Sequence, residues 1–165
     1  MRNSEIKIPQ PDEISSREKE DAMGAYLMMF AAWGIGFPLP IFNLIAAVIY
    51  FYINKKNSRF VSFHSLQSLL SQVPVTLINV GLIVWLIRNL FTDLTFSSAF
   101  FICLVFMVLS NILYILFSVI ALVRARKGRF FYMPFFGRVT FGRYYGPRAV
   151  SFSRPVEENR PPEGF

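Results

Sequence analysis

The sequence predicts an all-α integral membrane protein with four transmembrane helices, and three observations predict it. Residues 22–53, 60–87 and 95–123 carry no Asp, Glu, Lys or Arg, and the chain's one histidine, His64, sits in the middle run. The first run is interrupted by GIGFPLP, between Gly34 and Pro40. Basic residues crowd the ends of the runs rather than their interiors. Uncharged apolar stretches of this length read as bilayer-crossing helices.

In chain order, residues 1–18 form a polar N-terminal tail, expected to be disordered to about residue 17 and to contain no cleavable signal sequence. The first apolar run covers 32 residues, and a single helix of that length would be roughly 48 Å long against about 30 Å of hydrocarbon. Two glycines and two prolines at 34–40 break it. The expected result is a hairpin of two short helices, 19–35 and 38–53, and the alternative is one kinked, tilted span. A third helix spans 59–91 with a bend at Pro74, and a fourth spans 97–126. Residues 19–126 thus form the membrane domain, 127–146 a basic aromatic interfacial segment, and 147–165 a disordered tail.

Four spans place the N-tail, the 54–59 loop and the C-tail on one side, and with them 16 of the 17 Lys and Arg residues. The positive-inside rule makes that side cytoplasmic. The expected location is therefore the bacterial inner membrane, with both termini cytoplasmic. A three-span arrangement would move only the N-tail outside.

The third helix carries a polar stripe. At about 100° per residue, His64, Gln67, Ser68, Ser71, Gln72, Thr76 and Asn79 share one face, opposite Leu66, Leu69, Leu70, Val73, Leu77 and Val80. Amides and hydroxyls facing acyl chains would lack partners, so the stripe must face other helices or water. Asn43 on the second helix and Ser110, Asn111, Tyr114 and Ser118 on the fourth offer matching polar faces, with small residues beside them. The stripe is either adhesive for the bundle or the wall of a cavity or docking face.

After the fourth helix comes RARKGRFFYMPFFGRVTFGRYYG. Aromatic rings beside Arg124, Arg126, Lys127, Arg129, Arg138 and Arg143 suit a headgroup region or a partner surface. Anionic lipid is the natural counterpart, and the membrane interface satisfies these residues without nucleic acid. The one cysteine, Cys103, excludes a disulfide framework. With no carboxylate in any span, neither an acid–base pair nor a metal site is formed there, so no enzyme activity and no cofactor are expected.

The combination of NKKNS, RFVSFHSLQSLL and KGRFFYMPFFG resembles the Tic-twenty-like family of small membrane proteins, which includes a chloroplast inner-envelope import component. Phe60, Val61, Phe63, His64 and Gln67 carry the resemblance at the third helix, and Gly128, Pro134 and Gly137 carry it after the fourth. The resemblance implies a four-helix fold and a place in a protein translocation or assembly complex. The expectation is a subunit or accessory factor bound to lipid and to another membrane protein or further copies of itself. The alternative is a small channel or transporter that uses the polar stripe.

Overall fold

Among the described residues, three helices start at a serine cap. The computed structural model describes residues 6–31, 40–92, 95–146, 149–150, 159 and 161. Helix α1 (Ser16–Leu27) begins at a capping box: the Ser15 hydroxyl accepts from Glu18 N, and the Glu18 carboxylate accepts from Ser15 N. It continues as a 3₁₀ turn, Met28–Phe30. Helix α2 (Pro40–Asn54) starts on a proline, which needs no intrahelical donor at that position. Ser58 caps α3 (Arg59–Phe91), and Ser97 caps α4 (Ser98–Arg126). Helix α3 continues through Pro74, whose ring nitrogen has no proton to offer the preceding turn. Helix α4 stops in a Schellman motif in which Arg129 N bonds Arg124 O and Gly128 N bonds Ala125 O. Gly128 supplies the left-handed residue at φ 72°. A short helix α5 (Phe136–Tyr144) follows. Strands β1 (Ile6–Lys7) and β2 (Ala149–Val150) pair in parallel over two residues each.

Two helices, α3 and α4, are long and apolar enough to cross a membrane. At 12 and 15 residues, α1 and α2 are about 18 and 22 Å long, each short of a full crossing. The Gly-Pro break is centred on residues 32–39, outside the described residues; Pro40 opens α2. Met29, Phe30 and Pro40 lie beside Val75, Thr76 and Asn79, so the described ends of this hairpin reach the middle of α3.

The core sits at one end of the molecule. Ala22 and Tyr26 of α1, Phe60 and Phe63 of α3, and Ala121 and Ala125 of α4 are buried together with Phe130, Met133, Phe141 and Tyr145 of the returning C-terminal segment. Beyond it, the far halves of α3 and α4 form a two-helix hairpin held by Leu82, Asn89 and the Trp85–Phe100 ring contact. Its outer surface is apolar: Val84, Leu90, Phe101, Ile102 and Val105 are all exposed. Exposed apolar surface on helices of this length is compatible with a membrane setting.

Two expectations about the tails need correcting. Composition suggests disorder through residue 17, yet Ile8 and Ile14 are buried in the core and α1 begins at Ser16. In the C-terminal tail, Asn159 is buried, and it donates to Pro9 O and Gly128 O while accepting from Phe130 N. Apolar and amide side chains spaced singly in a polar tail give a weak compositional signal but find partners in three dimensions.

Candidate functional site

The polar stripe divides into two sites with different partners. Its first half starts at His64, which is fully buried between Phe60 and Phe63 of its own helix and Phe130 beyond α4. His64 Nδ1 lies 3.0 Å from the Tyr26 hydroxyl. That hydroxyl also accepts a hydrogen bond from Gln67 Nε2 at 2.9 Å, leaving its own proton for His64. In the tautomer that lets Tyr26 donate, His64 accepts through Nδ1 and carries its proton on Nε2, which faces the aromatic rings without a hydrogen-bond acceptor among the described residues.

Gln67 does more than hold Tyr26. Its Nε2 donates to Phe131 O at 2.9 Å, and its Oε1 accepts from Met133 N at 3.3 Å. One amide thus satisfies two main-chain groups of the segment that returns after α4. Ser68 ties the same turn of α3 to α1 by donating to Ala25 O at 2.7 Å, while Ser71 bonds back to Ser68 O. His64, Gln67 and Ser68 together lock α1, α3 and the 130–133 segment. The chemistry of this group is adhesive: every proton placed by its geometry, apart from the buried His64 Nε2–H, is committed to an internal bond.

The second half of the stripe lines a cavity of about 120 Å³. Gln72, Thr76 and Asn79 of α3 face Asn43 of α2 and Asn111 and Tyr114 of α4 across it. Gln72 and Ser118 lie beside the Tyr114 phenol without closing a hydrogen bond of ordinary geometry. Asn79 and Asn111 exchange a reciprocal pair of amide hydrogen bonds, 3.1 and 2.7 Å, and Asn111 also donates to Met107 O. Ser110 does not join them. It lines a separate apolar groove with Pro74 and Phe117, on the other flank of α4.

The asparagine pair gives a direct test. Asn111→Leu should lower the unfolding free energy by about 1–2 kcal/mol, because Asn79 loses its partner in a low-dielectric setting. Replacing both by leucine should recover most of that loss, since no amide is then left unpaired. Thermal unfolding of the two variants in the same detergent separates the outcomes.

Of the six basic residues between Arg124 in the last turn of α4 and Arg143 in α5, Arg124, Arg126, Lys127, Arg138 and Arg143 are exposed and Arg129 is half-buried. They share their end of the molecule with exposed Lys55, Lys56 and Arg59. The rings between them do not all face outward, however. Phe130, Phe141 and Tyr145 turn inward, and Phe141 stacks on Tyr145 at a centroid distance of 5.3 Å. Burial pushes the Tyr132 and Tyr145 phenols well above the usual range, so both stay neutral. Among the described residues, no three His, Cys, Asp or Glu side chains are grouped as metal ligands.

Sequence reasoning missed Tyr26, Phe130 and Met133. Tyr26 sits in an otherwise apolar run, and a lone phenol there was a readable signal, since a buried hydroxyl needs a partner. Phe130 and Met133 carry no such mark.

A family model described as the magnetosome magnetite crystal formation protein family matches residues 19–140. No curated protein and no solved structure matches. The match corrects the resemblance to the Tic-twenty-like family and, with it, the expected role in protein translocation or transport. Phe-rich membrane helices bordered by basic loops imitate one another.

Proposed function

The chain belongs to the magnetosome magnetite crystal formation protein family, and from that premise we propose that it is a multi-pass protein of the magnetosome membrane. In this role it supports magnetite formation from within the bilayer, through lipid and neighbouring membrane proteins, and without a catalytic step. The observation that carries the proposal is the extent of the match. Residues 19–140 comprise nearly all of α1 to α5 and the locked His64–Gln67 site, not the tails.

In the proposed topology α3 and α4 cross the membrane, and the α1–α2 hairpin enters and leaves from the cytoplasmic face. Two observations support it. The N-terminal segment and the C-terminal segment meet Phe60 and Phe63 of α3 in one core, with Ser58 and Arg59 beside Ile14 and Tyr145. Of the 17 basic residues, 16 belong to the N-tail, the 54–59 loop and the C-tail. The compartment interior then sees little of the chain's acidic chemistry. Nine of the ten Asp and Glu residues lie before α1's apolar half or after residue 150, leaving Asp93 on the interior side. A surface that templates a mineral with carboxylates would need more than one. The protein is therefore assigned to organising the membrane around the crystal rather than to coating it.

Two measurements test this. Reporter fusions at both termini and in the 92–97 loop should place the termini in the cytoplasm and the loop opposite; an N-terminus on the far side would overturn the hairpin. Removing the gene from a magnetite-forming host should change crystal size or number under electron microscopy, with rescue by the wild-type chain and poor rescue by Gln67→Leu. An unchanged crystal population would sink the functional assignment.

A further inference from the structure

Beside the locked site, the turn at residues 133–136 meets the flank of α3 and α4 and encloses a groove of about 190 Å³ with almost wholly apolar walls. Pro74 and Val75 form one side, Tyr114 and Phe117 the other, and Met133 and Phe135 close the top. The α3 residues of this groove lie near the middle of that helix, so it opens toward acyl chains rather than toward water.

Two further observations indicate what fills it. Phe135 is 88% exposed at the groove's lip and adopts φ 63°, a conformation that costs a non-glycine residue stability. An aromatic ring held outward at such cost gains nothing in water, but it gains contacts against hydrocarbon. Above the groove the charge is positive. Arg124 follows Phe117 by seven residues, on the same face of α4 and about 10 Å nearer the helix end. Arg138 lies in the first turn of α5, two residues after the groove-lining Phe136. Both arginines are exposed.

We propose that this groove binds one acyl chain of an anionic phospholipid, with the lipid phosphate held by Arg124 and Arg138. The apolar slot takes a run of methylenes that extends downward from the ester, and the two guanidiniums meet the headgroup at interface height. The site rests on the membrane placement of the bundle and not on a role in mineral formation.

The test uses the full chain in phosphatidylcholine nanodiscs with traces of a phosphatidylglycerol that bears a photoreactive group in its acyl chain. Adducts mapped by mass spectrometry should concentrate on the peptides that contain Phe117 and residues 133–136. They should exceed those from the matched phosphatidylcholine probe by on the order of tenfold, the selectivity expected of two basic contacts. Arg124→Gln with Arg138→Gln, both at exposed positions, should remove that excess while leaving the unfolding temperature unchanged. Equal labelling by the two probes, or labelling of residues 101–109 as strong as that of the groove, would overturn the site. No label anywhere on the chain would overturn the membrane placement as well.

Discussion

Gln67→Leu is expected to lower the unfolding free energy by about 3 kcal/mol and to free the segment after α4. The side chain is fully buried, and its amide meets three partners: Tyr26 OH, Phe131 O and Met133 N. Leucine fills much of the same volume, so packing changes little and the loss falls on the hydrogen bonds. Tyr26 keeps its contact with His64 Nδ1. Among the described residues the two main-chain groups have no second side-chain partner, and a buried unpaired group costs roughly 1–3 kcal/mol. The segment should then swing away and expose Phe130 together with the basic sites on either side. Limited trypsin digestion should cut faster after Arg129 and Arg138. Val73→Leu, on the exposed face of the same helix, should stay within about 0.5 kcal/mol of wild type. A Gln67→Leu protein as stable and as protease-resistant as that control would remove the lock from the account.

Gln67 also shows how far a sequence carries. The polar stripe was legible, because a 100° period turns scattered serines and glutamines into one face and because lipid cannot satisfy amides. Its partner was not fully legible. A face that must be buried looks the same whether another helix or an irregular segment covers it. Asn79 faces Asn111 on α4, a helix–helix match of the expected kind. Gln67 faces main-chain atoms of Phe131 and Met133, more than sixty residues away, and main-chain atoms leave no trace in a sequence.

The helix limits divide in the same way. Residues 59–91 were expected and Arg59–Phe91 is observed, because Ser58, the basic loop and the end of the apolar run agree. Helix α1 was expected from 19 and begins at Ser16, where the Ser15–Glu18 capping box outweighs the polarity of the residues it opens. Membership of the family was hardest to read. His64 and Gln67 report burial chemistry, and burial chemistry is shared by unrelated membrane bundles.

Gly137→Ala should disrupt the same lock from the opposite side. A Cβ at Gly137 would lie 2.8 Å from Tyr132 Cα and 3.0 Å from its carbonyl carbon, so backbone must move to admit it. Overpacking of this kind costs typically about 1–3 kcal/mol. Here the displaced residue sits between the two that Gln67 holds, so the shift also strains those hydrogen bonds. Five residues on, in the same helix, a Cβ at Gly142 would meet nothing within 4 Å. Gly142→Ala should therefore raise stability by roughly 0.5–1 kcal/mol through helix propensity alone. The opposite signs at two glycines of one helix separate a steric contact from a general intolerance of α5 to substitution. Combining Gly137→Ala with Gln67→Leu should cost clearly less than the sum of the single losses, because each already releases the 130–133 segment. Full additivity in thermal unfolding would mean that Gly137 and Gln67 act on separate elements, and the contact between Gly137 and Tyr132 would then have no part in holding the site closed.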